Sequence, residues 1–273
     1  MSRFSDCFLL VFGQLAVGGM VGLAVPPFAV LERGFYKSSA AVFLGCALLF
    51  LGGKVALLAR GAGAPGSRLV EIALWAGFSG AIGLYLTSLW GHAIRLRARA
   101  YTAALATGLL ALVASASAYR LGPPLGPAAV LYPLAFLTGA LALGGVAVGM
   151  LLGHWYLIDV GLSIEPLRRL FHYFVAVLIA HLAVMLATVA TLAARPGPGA
   201  VAVAVLWGDH AGLLASRVLL GPVAALAIAW MIHRTLRIPQ TMAATGLFYI
   251  AILAVMVGEL LGRLILFRTS LPL

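Results

Sequence analysis

The feature that most constrains this chain is a succession of apolar stretches, each about 20 residues long, separated by short polar or Gly/Pro-rich turns. A helix of that length crosses the hydrocarbon core of a bilayer, whereas a transmembrane β-strand is about ten residues of alternating polarity. We therefore predict an all-α, polytopic transmembrane helix bundle of about eight spans with short loops, forming a single integral membrane domain over residues 1–273. The predicted spans are 7–30, 39–59, 70–92, 100–119, 129–157, 170–194, 212–233 and 241–266.

Composition agrees with lipid as the main solvent of the surface. Of the 273 residues, 63% are hydrophobic and only 9% are charged, whereas soluble domains carry about 25% charged residues. The net charge of +11 comes largely from short basic clusters between apolar stretches, as in Arg95, Arg97 and Arg99. This distribution is typical of membrane topology signals, so we expect a lipid membrane as a partner and no nucleic acid.

Three local patterns refine the expected bundle. The first apolar stretch ends near Pro26-Pro27 without a clean small-x-small cleavage site, and we interpret it as a retained helix. Residues 195–211 are predicted to be the longest non-helical piece, because their Gly/Pro-rich start cannot continue a helix. Glycines four residues apart predict close helix packing, at Gly18 and Gly22, Gly145 and Gly149, and Gly258 and Gly262.

An even number of spans divides the loops into two sets, whose basic residues can be compared. The set after spans one, three, five and seven carries Arg33, Lys37, Arg95, Arg97, Arg99, Arg168, Arg169, Arg234 and Arg237. The other set, which includes the termini, carries Arg3, Arg60, Arg68, Arg120, Arg195 and Arg268. We expect a bacterial inner-membrane protein, and the positive-inside rule then predicts the first set in the cytoplasm and both termini on the periplasmic side.

Four of the six histidines fall at the predicted cytoplasmic boundary, namely His92, His154, His172 and His233. Tyr156 and Asp159 follow His154 closely, and tryptophan and tyrosine residues accompany the histidines. Aromatic rings, hydroxyls and a carboxylate together can stack on a quinone ring, hydrogen-bond to its oxygens and exchange its protons. We therefore predict quinone contact or proton exchange at these six positions, while interfacial histidines with no ligand remain the alternative.

A b-type haem is a further alternative, since neutral imidazoles serve as axial ligands. His172 and His181 are nine residues apart and face opposite sides of one helix, so they cannot bind the same iron. His154 and His172 could bind one iron if the fifth and sixth spans face each other. No HxxxH or HExxH spacing indicates a metal site, and we predict none.

Ionisable residues inside the predicted spans form a second candidate set. A charge in lipid must be paired, so we predict an intramembrane polar network of Lys54, Glu71, His181, Arg217, Glu259 and Arg263. Glu259 and Arg263 are four residues apart and therefore share a helix face. This network is interpreted either as structural charge pairing or as a proton path or polar ligand pocket.

The last span, Ala244 to Arg263, ends in Gly258-Glu-Leu-Leu-Gly-Arg263 and resembles the closing helix of the DMSO-reductase and polysulfide-reductase-type membrane anchors. The resemblance covers about a tenth of the chain. It implies an eight-helix subunit that exchanges electrons between quinone and an attached iron–sulfur subunit, with a haem-free quinone site.

These observations favour a membrane-anchor subunit of a bacterial respiratory or electron-transfer complex, which interacts with quinone or quinol and has other protein subunits as partners. Such a chain is a quinone-binding or non-catalytic subunit of an oxidoreductase rather than an enzyme alone. Three alternatives remain open: a small-solute or proton transporter, a b-type haem membrane protein, and a structural subunit of a larger membrane assembly.

Overall fold

The computed structural model describes residues 2–59, 65–121, 125–159, 161–238 and 240–273. These ranges are helical apart from short connections, and no β-strand occurs within them. Eight helical segments in this part of the chain are long and apolar enough to cross a membrane. The predicted all-α bundle is therefore confirmed, and the chain is a multi-pass membrane protein.

The first six spans are single helices, whereas the seventh is interrupted. The single helices are α1 (Ser2–Gly22), α2 (Arg33–Ala59), α3 (Pro65–Ser88), α4 (Ile94–Ser117), α5 (Ala128–Trp155) and α6 (Glu165–Ala193). After the short helix α7 (Pro198–Gly208), the seventh span consists of α8 (Ala211–Val218), a π-helical segment (Leu219–Val223) and α9 (Ala224–Arg237). The eighth span is α10 (Thr241–Thr269).

Several helix ends differ from the predicted boundaries. The first span ends at Gly22 rather than at residue 30, and turns fill the stretch that contains Pro26 and Pro27. In contrast, α4 begins at Ile94 and α6 at Glu165, several residues before the predicted starts. These early turns contain arginines, whose long side chains reach water while their backbone stays helical.

The prediction that residues 195–211 form no helix was wrong. An apolar helix, α7, occupies Pro198–Gly208 and buries Ala202, Val203 and Leu206. Pro198 suits the first position of a helix, where its missing N–H is not needed. Gly197 precedes it at φ 146°, a backbone conformation that residues with a side chain rarely adopt. The Gly/Pro pattern thus marks the start of a helix as well as the end of the previous one.

Helix α5 lies at the centre of the bundle, where it packs against α1, α4, α6 and α10. Its contact with α1 depends on glycine, because a side chain at Gly18 would collide with the backbone of Ala140 and Gly144. The predicted glycine packing is confirmed here and at Gly258, which meets Gly221 of the π-helical segment. Small residues therefore let the central backbones approach closely.

The alternating direction of the spans gives the bundle two distinct ends. We call the end where α1 begins the N-terminal face, and the other end the opposite face. Helices α2, α4 and α10 end at the N-terminal face, and α3 and α5 begin there.

Candidate functional site

Six polar side chains meet deep inside the bundle, and we call them the central polar cluster. They are Gln14 of α1, Thr138 of α5, His181 of α6, Arg217 of α8, and Glu259 and Arg263 of α10. The three charged members and His181 expose at most 3% of their side chains. At 1.5 Å per residue, Glu259 lies about 15 Å from the end of α10. The cluster is therefore a truly intramembrane site.

The carboxylate of Glu259 is the hub of the central polar cluster. Its Oε1 accepts a hydrogen bond from Arg217 Nη2 at 2.6 Å and lies 2.9 Å from His181 Nε2. Its Oε2 lies 3.0 Å from Arg263 Nη2 and 3.4 Å from Gln14 Nε2. The predicted shared face of Glu259 and Arg263 is confirmed by this contact. Two guanidinium groups thus surround one carboxylate, a pairing that lowers the cost of burying charge.

The hydroxyl of Thr138 determines the orientation of the His181 ring. Thr138 Oγ1 donates to the Leu134 carbonyl at 2.8 Å and lies 2.9 Å from His181 Nδ1. With its proton on the Leu134 carbonyl, the Thr138 oxygen accepts a hydrogen bond from Nδ1–H. His181 Nε2 is then a free acceptor in the neutral ring, and Arg217 Nη2 lies 2.8 Å from it. Arg217 has two Nη2 protons, which suffice for His181 and Glu259 together.

The interrupted seventh span positions Arg217. The guanidinium belongs to the last turn of α8, directly before the π-helical segment that contains Pro222. A side chain at Gly221 or Gly258 would occupy the space of the Arg217 Nη1 atom. Insertions of π-helix are common at functional sites. Here the π-helical segment and two glycines make room for a buried arginine.

Lys54 and Glu71 form a separate polar pair nearer to the N-terminal face. Lys54 Nζ lies 2.7 Å from Glu71 Oε1. The Ser115 hydroxyl donates to the same oxygen at 2.5 Å and accepts from Trp75 Nε1 at 3.0 Å. The single network predicted from the sequence is therefore two groups, because α2 pairs with α3 rather than with α10.

A cavity of about 830 Å³ surrounds this ion pair at the N-terminal face. Its polar lining includes Asp6, Lys54 and Glu71, and its walls are otherwise mainly apolar and aromatic. The wall residues include Leu9, Phe50, Leu57, Val70, Tyr119 and Phe267. Ligand pockets typically have volumes of 300–1,000 Å³ with a few polar groups among apolar walls. The cavity has the size and lining of such a pocket.

Tyr119 joins the cavity to the central polar cluster. Its ring lines the cavity and stacks on Phe136 with ring centroids 6.2 Å apart. The guanidinium of Arg263 lies 4.1 Å from the centroid of the same Phe136 ring. Burial raises the pKa of the Tyr119 phenol, the charges of Glu71 and Asp6 raise it further, and Arg263 opposes them. The phenol is therefore a neutral hydrogen-bond donor at physiological pH.

The four boundary histidines lie at the opposite face, and all four are exposed: His92, His154, His172 and His233. The Phe171 ring contacts both His172 and His233, with ring centroids 5.6 and 6.0 Å away. His154 Nδ1 lies 3.5 Å from the Tyr249 hydroxyl on α10. These contacts are on the surface of the bundle, and the quinone role of these histidines stays a prediction.

The two other residues of that predicted site differ in their surroundings. Tyr156 is buried and donates to the Ser163 carbonyl at 2.5 Å, which closes the turn between α5 and α6. Burial raises its pKa to about 12. Asp159 is half-buried in the same turn. In the part of the chain that the structure describes, no three His, Cys, Asp or Glu side chains come together as metal ligands.

Sequence reasoning missed several residues that complete the two polar sites. Gln14, Thr138 and Ser115 are uncharged, so they lack the charge that marks a functional residue within an apolar span. Gln14 was the strongest available signal, because a primary amide in the middle of an apolar span needs partners. Tyr119 and Asp6 were hidden by their positions near span ends, where such residues are common.

Comparison with models of known protein families and with curated proteins finds no match for this chain.

Proposed function

We propose that the chain is a membrane subunit that binds a quinone or quinol in the cavity at the N-terminal face. One observation carries this proposal: an ammonium and a carboxylate 2.7 Å apart lie among aromatic and aliphatic walls, inside a membrane bundle. This lining suits a quinone, since its ring and tail are apolar and its two oxygens accept hydrogen bonds, and it suits a quinol, whose hydroxyls donate to a carboxylate. The resemblance of the last helix to quinone-reactive membrane anchors points to the same ligand class.

The chemistry follows from the residues of the cavity. Lys54 and the Tyr119 phenol can donate hydrogen bonds to quinone oxygens, and Glu71 and Asp6 can accept protons from a quinol. Oxidation of a quinol to a quinone releases two protons and two electrons. The carboxylates would take the protons toward the N-terminal face. The electrons would pass to a redox centre in an attached protein subunit, as in the anchors that the last helix resembles.

Photolabelling tests where the quinone binds. The full chain in lipid nanodiscs is illuminated with an azido-quinone, and the labelled peptides are identified by mass spectrometry. We expect labels on α2, α3 and α4, with labelling reduced at least about tenfold in a Lys54→Met, Glu71→Gln double variant. The double variant removes both charges, so neither remains unpaired.

The matched control for photolabelling is His233→Gln at the opposite face, which should label as the wild type does. Labels that fall on α5 and α6 near His154 and His172 would move the site to the boundary histidines and overturn the cavity proposal. Labelling of the cavity that is undiminished in the double variant would also contradict it.

The orientation in the membrane is part of the proposal. We infer that the opposite face is cytoplasmic in the bacterial inner membrane and that both termini are periplasmic. The excess of loop arginine and lysine at the opposite face supports this orientation, because cytoplasmic loops carry such an excess. Reporter fusions after residues 92 and 120 test this, since a cytoplasmic reporter should be active only in the first fusion.

A small-solute or proton transporter is the second candidate, and the interrupted seventh span favours it. Transporters commonly bind their substrate where a helix is discontinuous, and here the π-helical segment adjoins the buried Arg217. The test is flux in proteoliposomes under a pH gradient. Flux that the wild type shows and a still-folded Glu259→Gln variant lacks would support transport. A wild-type chain without flux would rule the transporter out.

A further inference from the structure

The Nε2 atom of His181 has two competing partners. It lies 2.8 Å from Arg217 Nη2, which is a donor, and 2.9 Å from Glu259 Oε1, which is an acceptor. A ring nitrogen can satisfy only one of them at a time. Without a proton Nε2 accepts from Arg217, and with a proton it donates to Glu259.

The contact with Thr138 keeps a proton on His181 Nδ1, so only the proton on Nε2 is gained or lost. Because the Thr138 hydroxyl donates to the Leu134 carbonyl, it accepts from His181 Nδ1–H in both states. The alternative neutral tautomer, with the proton on Nε2 alone, would keep the contact to Thr138 only if the hydroxyl gave up its hydrogen bond to the Leu134 carbonyl. The ring therefore passes between a neutral form with Nδ1–H and an imidazolium with both nitrogens protonated.

The charges that face His181 come from two helices. Arg217 approaches from α8, and Glu259 and Arg263 from α10. The groups contributed by α1 and α5, Gln14 and Thr138, are uncharged. Protonation of His181 adds a third positive charge around one carboxylate, so like-charge repulsion acts on the adjacent Arg217.

Arg217 can transmit this repulsion to the backbone. It belongs to the last turn of α8, and the π-helical segment begins two residues later at Leu219. A π-helical turn holds one residue more than an α-helical turn and is a common place for a helix to adjust. A displaced Arg217 would therefore change the π-helical segment rather than the rigid helices around it.

We propose that His181 Nε2 is a buried proton-binding site. Its ligand is a single proton delivered by a hydronium ion, which is left as water; an N–H bond to Nε2 forms, and the Arg217 N–H···Nε2 hydrogen bond breaks. The imidazolium then donates to Glu259 through the 2.9 Å contact that already exists. This site does not depend on quinone binding, since the cavity lies at Lys54 and Glu71.

Nitrogen-15 NMR of the histidine rings tests the proposal on the full chain in nanodiscs, equilibrated for hours at each pH because the site is buried. The His181 signals are assigned by their loss in His181→Gln. At pH 8 we expect a neutral ring protonated on Nδ1, and at lower pH protonation of Nε2. In Thr138→Val the neutral ring should become a mixture of the two tautomers.

Thr188→Val is the matched control, because Thr188 is buried on α6, the helix of His181, and its hydrogen bond to the Val184 carbonyl does not involve the His181 ring. It should leave the His181 tautomer unchanged. A ring protonated on Nε2 alone at pH 8 would overturn the proposal. So would a His181 that stays neutral down to pH 4.5 while the protein remains folded.

Discussion

Gly221 of the π-helical segment meets Gly258 of α10 backbone to backbone, with no side chain between them. The guanidinium of Arg217 fills the space beside this contact, since a Cβ atom at Gly258 would lie 2.8 Å from Arg217 Nη1. The buried arginine therefore packs in a space that the interrupted span and the glycine pair provide together.

Replacing Gly258 should damage this contact. In Gly258→Ala the new methyl group would lie 2.5 Å from the Gly221 Cα atom, which belongs to backbone and cannot rotate away. We expect a loss of about 1–3 kcal/mol in the free energy of unfolding, as is usual for overpacked sites. Denaturant titration in mixed micelles measures it. Gly246→Ala on the same helix meets open space and should be neutral or stabilising.

The hydroxyl of Ser115 should be essential to the cavity at the N-terminal face. In Ser115→Ala the indole N–H of Trp75 loses its acceptor, and Glu71 loses a donor. An unsatisfied buried polar group costs about 1–3 kcal/mol. Unfolding titration measures the change, and the difference in tryptophan emission between the wild type and the variant reports the altered surroundings of Trp75.

The control for Ser115 is Ser117→Ala, whose native hydroxyl donates to the Val113 carbonyl of its own helix. A loss below about 0.5 kcal/mol is expected there. Equal effects of the two variants would show that the bridge from Trp75 to Glu71 does not stabilise the protein.

The turn between α5 and α6 should lose stability at alkaline pH, when the Tyr156 phenol ionises. Burial raises its pKa to about 12, whereas an unfolded tyrosine titrates near 10. Its contribution is therefore fully present below pH 10 and is lost as pH rises through 12. The absorbance of phenolate in the wild type minus Tyr156→Phe should develop near pH 12. A midpoint near 10 would mean that Tyr156 is exposed to water.

The number and type of the spans could be predicted because hydropathy acts along the chain. A run of about 20 apolar residues predicts a span whichever helices lie beside it, so all eight spans were found. The shared face of Glu259 and Arg263 followed equally from helix periodicity. The predicted helix ends were less accurate, since the arginine-containing first turns of α4 and α6 have a sequence typical of a loop.

The partners of the buried charges could not be predicted, because pairing depends on which helices are neighbours. Lys54 pairs with Glu71, while Arg217 crosses to Glu259. The π-helical segment was also missed, since the predicted span 212–233 runs through Pro222 and an apolar stretch does not mark where a π-helical turn lies. The local geometry around Arg217 is set by tertiary packing.

Removing the Glu259 carboxylate should have the largest effect of any single substitution in the central polar cluster. In Glu259→Gln two buried guanidinium groups lose their only anionic partner within that cluster. Breaking a buried ion pair costs about 3–5 kcal/mol, because the remaining charge stays desolvated. Denaturant titration should show this loss, whereas Glu32→Gln at an exposed loop position should stay within about 0.5 kcal/mol of the wild type. If Glu259→Gln unfolds like Glu32→Gln, the two arginines have another source of compensation and Glu259 is not the hub.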